Sequence, residues 1–529
     1  MSPGRDSAPL SVLMTAEGTY PYAAGGVSTW CDALLRNTPD VSYVLLPIMM
    51  NPHIEARFEP PPNVRSLINV PLWGIEEPGE FDPATTFAQL YERKRRTAAE
   101  DIEREFLPPF RAFLDLVNMG GGGGNNGGGD PAEFGRILVQ LEDYFARRDY
   151  SATMKSRAVW DAFVEAMQAF ARRSGASLPP AARELQAPSI FDLTECLRWL
   201  YRFLIVLTVR VPPVSVTHTT AAAFCGIPCI TAKVRRGTPM IVTEHGVYLR
   251  EQNLFLSRFK RLFFCKQFLL NLITAVVRAN YFHADVVAPV CHYNTRWELA
   301  HGTPQHKVRV IYNGVDPEVF LPGPKRGGTP HVIATARIDP LKDIETFLRV
   351  AARVRETHRD VRFTIFGTVA DPAYFQGCLS LRRELGLEDA VTMGAPAEDV
   401  VSAYRDADVV LLTSVSEAFP YSVIEAMSCE RAVVASDVGG VGEALEECGL
   451  LVRPRDVDGF AAAVRKFLDD APLRAHVGRR ARARVFEEFR LDGCIASYLE
   501  LYKRLALQGA ATPSSAAHPL ATAAIEARA

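Results

Sequence analysis

No stretch of this chain reaches the roughly 18 uninterrupted apolar residues of a candidate membrane-spanning helix. The closest run, LRWLYRFLIVLTVRVPPVSV, carries Arg198, Arg202 and Arg210, each costly at a bilayer centre. The opening MSPGRDSAPLSVLMT lacks an apolar core of signal-peptide length followed by a cleavage site. A cytoplasmic protein is the expectation. Neither sign of charge is in excess: 59 Lys and Arg stand against 61 Asp and Glu, so no global positive field argues for nucleic acid. The ten cysteines are scattered, and only Cys225 and Cys229 lie close, in CGIPC. No second pair or histidine pair completes a zinc site, so free, mostly buried thiols in a reducing compartment are expected. The glycine run GGGGGNNGGGD, residues 120–130, lacks the lysine and Ser/Thr of a phosphate loop, and no strand leads into it. With large backbone entropy and nothing to bury, residues 120–129 read as a disordered linker.

What is present is an ordinary globular composition, 48% apolar and 23% charged, on 529 residues, too many for one core. SVLMTAEGTYPYAAGGVSTWCDALL reads as strand, glycine loop and helix, and VSYVLLPIM as a second strand. Residues 82–196 turn to charged, helix-forming segments, a helical insertion. Strand-like runs return in IVLTVRV, SVTHTT, PMIVTEHG and ADVVAPV, with the basic amphipathic stretch SRFKRLFFCKQFLLNLITAVVRANYF (257–282) between them. That stretch is read first as a helix on a sheet, and second as a surface for a membrane or a partner. From KVRVIYNG onward, strands such as HVIATARI, VRFTIFGT, AVTMG, DVVLLTS and RAVVASD alternate with helices. Such alternation means a doubly wound parallel sheet. The expected architecture is α/β: two Rossmann-like domains facing a central cleft. The expected bounds are residues 1–307 and 308–490, a closing helix at 491–508 and a disordered tail at 509–529.

In such sheets ligands lie beyond the carboxyl ends of the strands. Four loop sets there carry chemistry. In EGTYPYAAGGVS, Gly25 and Gly26 permit close backbone approach, and Ser28 opens a helix whose N–H groups suit an anion, although a plain tight turn has the same pattern. SVTHTT and TEHGVYLRE hold His218 and His245. Either histidine suits a substrate hydroxyl, and either also suits a structural role. ATARIDPLKD places Arg337 and Lys342 where two cations would neutralise a diphosphate leaving group.

The fourth is SEAFPYSVIEAMSCE. Its Glu417 and Glu425 are eight positions apart, which on one helix would point them about 80° away from each other. Pro420 suits a first helical position, so Glu417 falls in a loop and Glu425 about one turn into a helix. Phe419, Pro420 and Tyr421 would bring backbone N–H groups to the same place. The paired-carboxylate geometry of glycosidases does not fit this placement. A literal DxD, Asp406 and Asp408, precedes a strand at the wrong sheet end and reads as a turn.

The stretch from Glu417 to Glu425 resembles the E-x7-E motif of retaining GT-B glycosyltransferases of family 4. RIDPLKD resembles that family's diphosphate motif, YNGVD its domain-entry motif, and the Gly25–Gly26 loop its first-strand loop, all in the family's order. EGTYPYAAGGVSTW, TEHGVYLRE and SEAFPYSVIEAM together look like its PelF-like branch, cytosolic enzymes of Pel exopolysaccharide biosynthesis.

The resemblance implies a metal-independent transfer of a hexose from a UDP-sugar to a growing polysaccharide, with retention of anomeric configuration. By it, Arg337 and Lys342 bind the donor diphosphate, and Gly25 and Gly26 approach phosphate or acceptor. Glu425 takes the ribose and Glu417 the donor sugar, near the amides of Phe419, Pro420 and Tyr421. His245 faces the reacting carbon; His218, outside the motifs that carry the resemblance, stays a candidate acceptor or substrate contact on its strand-end position alone. Inner-membrane synthase subunits are the expected partners, holding the protein peripherally at that membrane. Two other readings stay open: a sugar-nucleotide epimerase, and a non-catalytic nucleotide-sugar-binding subunit of a membrane synthase.

Overall fold

The computed structural model describes residues 9–75, 85–119, 129–175, 187–257, 263–325 and 327–511. The glycine linker at 120–128 and the tail from 512 lie outside the described residues, as do the basic residues Arg258, Lys260 and Arg261. The chain divides into two compact units, one of Met1–Ala288, Trp297–Arg309 and Leu499–Ala529, the other of Pro289–Arg296 and Val310–Tyr498.

The first unit holds a seven-stranded sheet: β1 (Ser11–Glu17), β2 (Ser42–Met49), β3 (Val64–Leu67), β4 (Val70–Pro71), β5 (Val216–Thr219), β6 (Met240–Glu244) and β7 (Val286–Pro289). Its order is β3-β2-β1-β5-β6-β7, with β4 beside β2, so the chain reverses direction of winding between β1 and β5. β1 is flanked by parallel partners on both sides, Leu13 opposite Val44 and Thr217. Its Val12, Leu13 and Met14 are buried, as expected of a strand covered on both faces.

The helical insertion is part of this core. Phe106, Phe110, Phe113, Leu138 and Leu141 are fully buried in one cluster with Leu13 and Leu46 of the sheet. Helix Leu107–Asn118 and helix Pro131–Phe145 supply most of these, the second started by Asp130, whose side chain accepts from Ala132 N at 3.0 Å. Helix Phe263–His283, from the basic stretch, buries Phe268, Leu272, Val276 and Val277 in the same cluster. The packed-helix reading therefore holds for its apolar face.

Two expected strands are absent. The run IVLTVRV continues helix Ile190–Phe203 as a 3-10 turn, Leu204–Thr208, and its apolar residues mark burial rather than extension. KVRVIYNG forms no full strand: Val308 makes an isolated bridge with Val287, and Arg309 N and Ile311 N donate to Val287 O at 2.9 Å and Pro289 O at 3.0 Å alongside β7.

The second unit holds β8 (His331–Thr335), β9 (Arg362–Phe366), β10 (Val391–Ala395), β11 (Val409–Leu412), β12 (Ala432–Ser436) and β13 (Leu450–Val452). The order β10-β9-β8-β11-β12-β13 repeats the winding of the first sheet, with its switch between β8 and β11. Both units are thus Rossmann-like parallel sheets of an α/β chain. The last helix, Leu491–Ala511, runs three residues into the segment expected as tail.

If the insertion is core, Phe110→Ala should destabilise the first unit by about 3–5 kcal/mol, read as a lower denaturant midpoint. An unchanged midpoint would mean the insertion is an appendage.

Candidate active site

The carboxyl ends of β8 and β11 bring the second unit's expected residues together. After Thr335 the chain turns through Asp339, which caps the 3-10 turn Pro340–Lys342 by accepting from Leu341 N at 2.9 Å. Thr413, just past β11, donates to the carbonyls of Lys342 and Asp343, each at 3.1 Å, and so ties the turn to the neighbouring strand end. Lys342 Nζ then lies 2.5 Å from Glu417 Oε1, with the two side chains 20% and 9% exposed. Arg337 stands further out, its side chain 57% exposed and 3.6 Å from Asp339.

The loop carrying Glu417 is held at its backbone. Asn313 Nδ2 donates to Phe419 O at 3.0 Å and Gly440 N to Ala418 O at 2.6 Å. Gly439 has φ +60, and a Cβ there would sit 1.8 Å from Glu417 O, so only glycine allows this approach. Helix Tyr421–Ser428 follows, with Pro420 as its N-cap rather than its first residue. Pro420 has no N–H to offer a ligand, so of the three expected amides only those of Phe419 and Tyr421 exist. The Phe419 ring is buried, 5.0 Å from Tyr312 and 5.1 Å from Phe489, and serves the core.

Glu425 is half-buried one turn into this helix. Its Oε2 accepts from Tyr404 OH at 2.8 Å, and burial pushes its pKa up to about 7, with the Tyr404 hydrogen bond pulling the other way. Glu417 and Glu425 therefore have different partners and share no proton. Asp408 of the DxD accepts from His331 N at 2.8 Å and pairs with Lys325 at 2.5 Å, a structural carboxylate as expected. No cluster of three metal-ligating side chains occurs among the described residues.

In the first unit, helix Gly26–Arg36 starts directly after Gly25, two residues before the expected Ser28. Ser28 is buried, and its Oγ has no hydrogen-bond partner. His218, on β5, does not stand free for a ligand. It is fully buried, with Nδ1 2.6 Å from Tyr502 OH and Nε2 2.7 Å from Thr243 Oγ1, so both ring nitrogens are used internally. The substrate-contact reading of His218 gives way to a structural one.

His245 differs. It follows β6, its ring packs edge-on to Trp30 at 4.7 Å, and its Nε2 is buried without a hydrogen-bond partner. Burial lowers its pKa to about 3, so it is neutral at physiological pH.

Several residues here were missed. Glu17 and Glu244 are the last residues of β1 and β6, and strand-end position was the signal that could have found them. Tyr248 OH donates to Glu17 Oε1 at 2.8 Å and Tyr281 OH to Glu244 Oε2 at 2.6 Å. Burial raises the pKa values of Glu244 and of the fully buried Glu298 beside it. Tyr404, Asn313 and Gly439 carry no local sequence signal of their contacts.

Comparisons with known proteins agree with this architecture. The second unit carries a domain matching the model "Glycosyl transferases group 1" over residues 317–484. The model "Domain of unknown function (DUF3492)" matches residues 10–306, more than half of the chain, and the chain belongs to that family.

It is 33% identical over 234 residues to a D-inositol 3-phosphate glycosyltransferase of Stackebrandtia nassauensis, covering 40% of this chain and 52% of that protein. The likeness to the enzyme of the same name from Paenarthrobacter aurescens is 31% over 228 residues, covering 40% and 55%. The chain thus spans about half the length of the curated relatives it matches. Among solved structures it resembles sucrose-phosphate synthase from Thermosynechococcus elongatus, with a TM-score of 0.57 at 19% identity over 94% of this chain and 100% of that one. A glycosyltransferase from Rickettsia africae gives 0.53 at 13% identity over 94% and 99%. At these identities the likeness speaks to fold alone.

The neutral state of His245 is directly measurable. NMR of its imidazole nitrogens should show no protonation between about pH 8 and pH 5, consistent with a midpoint near 3. A midpoint above 6 would overturn the buried, unpartnered geometry.

Proposed function

We propose that this chain is a retaining glycosyltransferase that moves a hexose from a UDP-sugar to a growing polysaccharide without a metal ion, in the manner of the PelF-like enzymes of exopolysaccharide biosynthesis. The observation that carries the reading is the Lys342–Glu417 pair at the switch between β8 and β11. A cation held in reserve by a carboxylate at that point of a doubly wound sheet suits a diphosphate.

Lys342 would exchange Glu417 for the donor's phosphates, and Arg337 would close on them from solvent. Two cations then offset the charge that builds on the leaving diphosphate, the task a metal ion performs in other transferases. Glu417, released, accepts from the sugar's hydroxyls, and Glu425 accepts from the ribose. In the first unit, neutral His245 is the group we assign to the transferred sugar, with Gly25 and Gly26 giving backbone N–H groups to phosphate or acceptor. Retention follows if the acceptor attacks the face the diphosphate leaves, with a phosphate oxygen taking the acceptor's proton.

No helix among the described residues is long and apolar enough to cross a membrane. A cytoplasmic enzyme docked on inner-membrane synthase subunits is the arrangement we propose for a polysaccharide that must be exported.

A thermal-shift panel of nucleotide sugars tests donor binding, since a ligand at 100 times its dissociation constant stabilises by about 2.7 kcal/mol. Lys342→Ala should lower kcat/KM by roughly 10²–10³-fold, the loss typical of one removed transition-state charge partner, with a lowered melting temperature because Glu417 is left unpaired, and the double variant Lys342→Ala/Glu417→Gln should regain stability without regaining activity. Glu425→Ala should abolish turnover. Release of UDP only when acceptor is present supports transfer. Conversion of the donor without release would instead mean an epimerase, and binding without turnover a non-catalytic subunit.

A further inference from the structure

Tyr404 lies on the short helix Val400–Asp406, before β11, and is fully buried. A phenol carries one proton, and here it goes to Glu425 Oε2 at 2.8 Å. Thr335 Oγ1, 2.6 Å from the same phenolic oxygen, must then be the donor in that second bond. The result is a one-way chain, Thr335 to Tyr404 to Glu425. It joins the last residue of β8 to the helix after β11, the two strands at the sheet's switch point.

The other carboxylate oxygen, Oε1, accepts no hydrogen bond among the described residues. The terminal torsion of a glutamate is broad, so a carboxylate without an anchor sweeps through many orientations. With Oε2 pinned, Oε1 points in one.

We infer that Tyr404, backed by Thr335, is a positioning residue that aims the Glu425 carboxylate at the ribose hydroxyls of the donor. This rests on the donor reading of the same site. It also gives Tyr404 an electrostatic effect that a packing residue lacks. A hydrogen bond to the charged form favours that form, and a charged acceptor binds a hydroxyl more strongly than a neutral one. Burial raises the pKa of Glu425, and the hydrogen bond from the phenol pulls it back toward the charged form.

The test is calorimetric titration of the full chain with UDP between about pH 6 and pH 8.5, for wild type, Tyr404→Phe, Thr335→Val and Glu425→Gln. Thermal unfolding of each variant confirms folding, and Glu425→Gln records the ligand's own titration. A shift of about one pH unit in the Glu425 midpoint makes Tyr404→Phe bind roughly five-fold more weakly at pH 7. The same shift leaves it within about two-fold of wild type at pH 8.5. Thr335→Val should move the profile in the same direction by less.

A Tyr404→Phe profile that matches wild type, or is weakened equally at every pH, overturns the inference and leaves Tyr404 a packing residue. Failure of the wild type to bind UDP at all overturns the donor reading, and this inference with it. Binding by the wild type with an unmoved variant profile sinks only the inference.

Discussion

The chemistry of the second unit depends on one ion pair, Lys342 with Glu417, held at 2.5 Å with both side chains mostly out of water. Two charges at that depth are tolerated because each neutralises the other, and removing either leaves an uncompensated charge. The surrounding structure exists to hold them there. Thr413 fixes the lysine's turn, and Asn313, Gly439 and Gly440 fix the glutamate's loop. A diphosphate entering this place would exchange one counter-ion for another rather than adding charge to an open site. Such an exchange lowers raw affinity, since the internal pair must first be broken, but it also rejects ligands without enough negative charge to replace the carboxylate.

Glu425 solves a different problem. Where Glu417 is neutralised by a cation, Glu425 is near its titration midpoint and is steadied by a neutral donor. The two acids of one short sequence motif therefore sit in distinct electrostatic settings, and a shared proton between them has no structural basis. Their spacing separates a loop position from a helix position. The N-cap at Pro420 between them is what places one on each side of that boundary.

Much of this was legible in the sequence. The alternation of apolar runs with helical segments revealed both parallel sheets, because strands buried on both faces cannot avoid a continuous apolar signature. Arg337, Lys342 and Glu417 were singled out because loops after strands are where such sheets carry chemistry, and the structure sets Lys342 against Glu417. IVLTVRV shows the limit of that logic, since burial in a 3-10 turn writes the same letters as burial in a strand. His218 shows another. Its position resembled that of His245, but its partner Tyr502 lies 284 residues away, and no local pattern announces a hydroxyl arriving from the far end of the chain. Tyr404 was invisible for the same reason, its contacts with Thr335 and Glu425 being long-range.

The first unit shows why burial rather than charge sets its chemistry. Glu17, Glu244 and Glu298 are carboxyls whose burial raises their pKa values, and no cation pairs with them in the described contacts. Tyrosine hydroxyls and backbone amides serve the first two instead. His245 is kept neutral by the same burial. A neutral imidazole can donate or accept a hydrogen bond without adding a charge to the first unit.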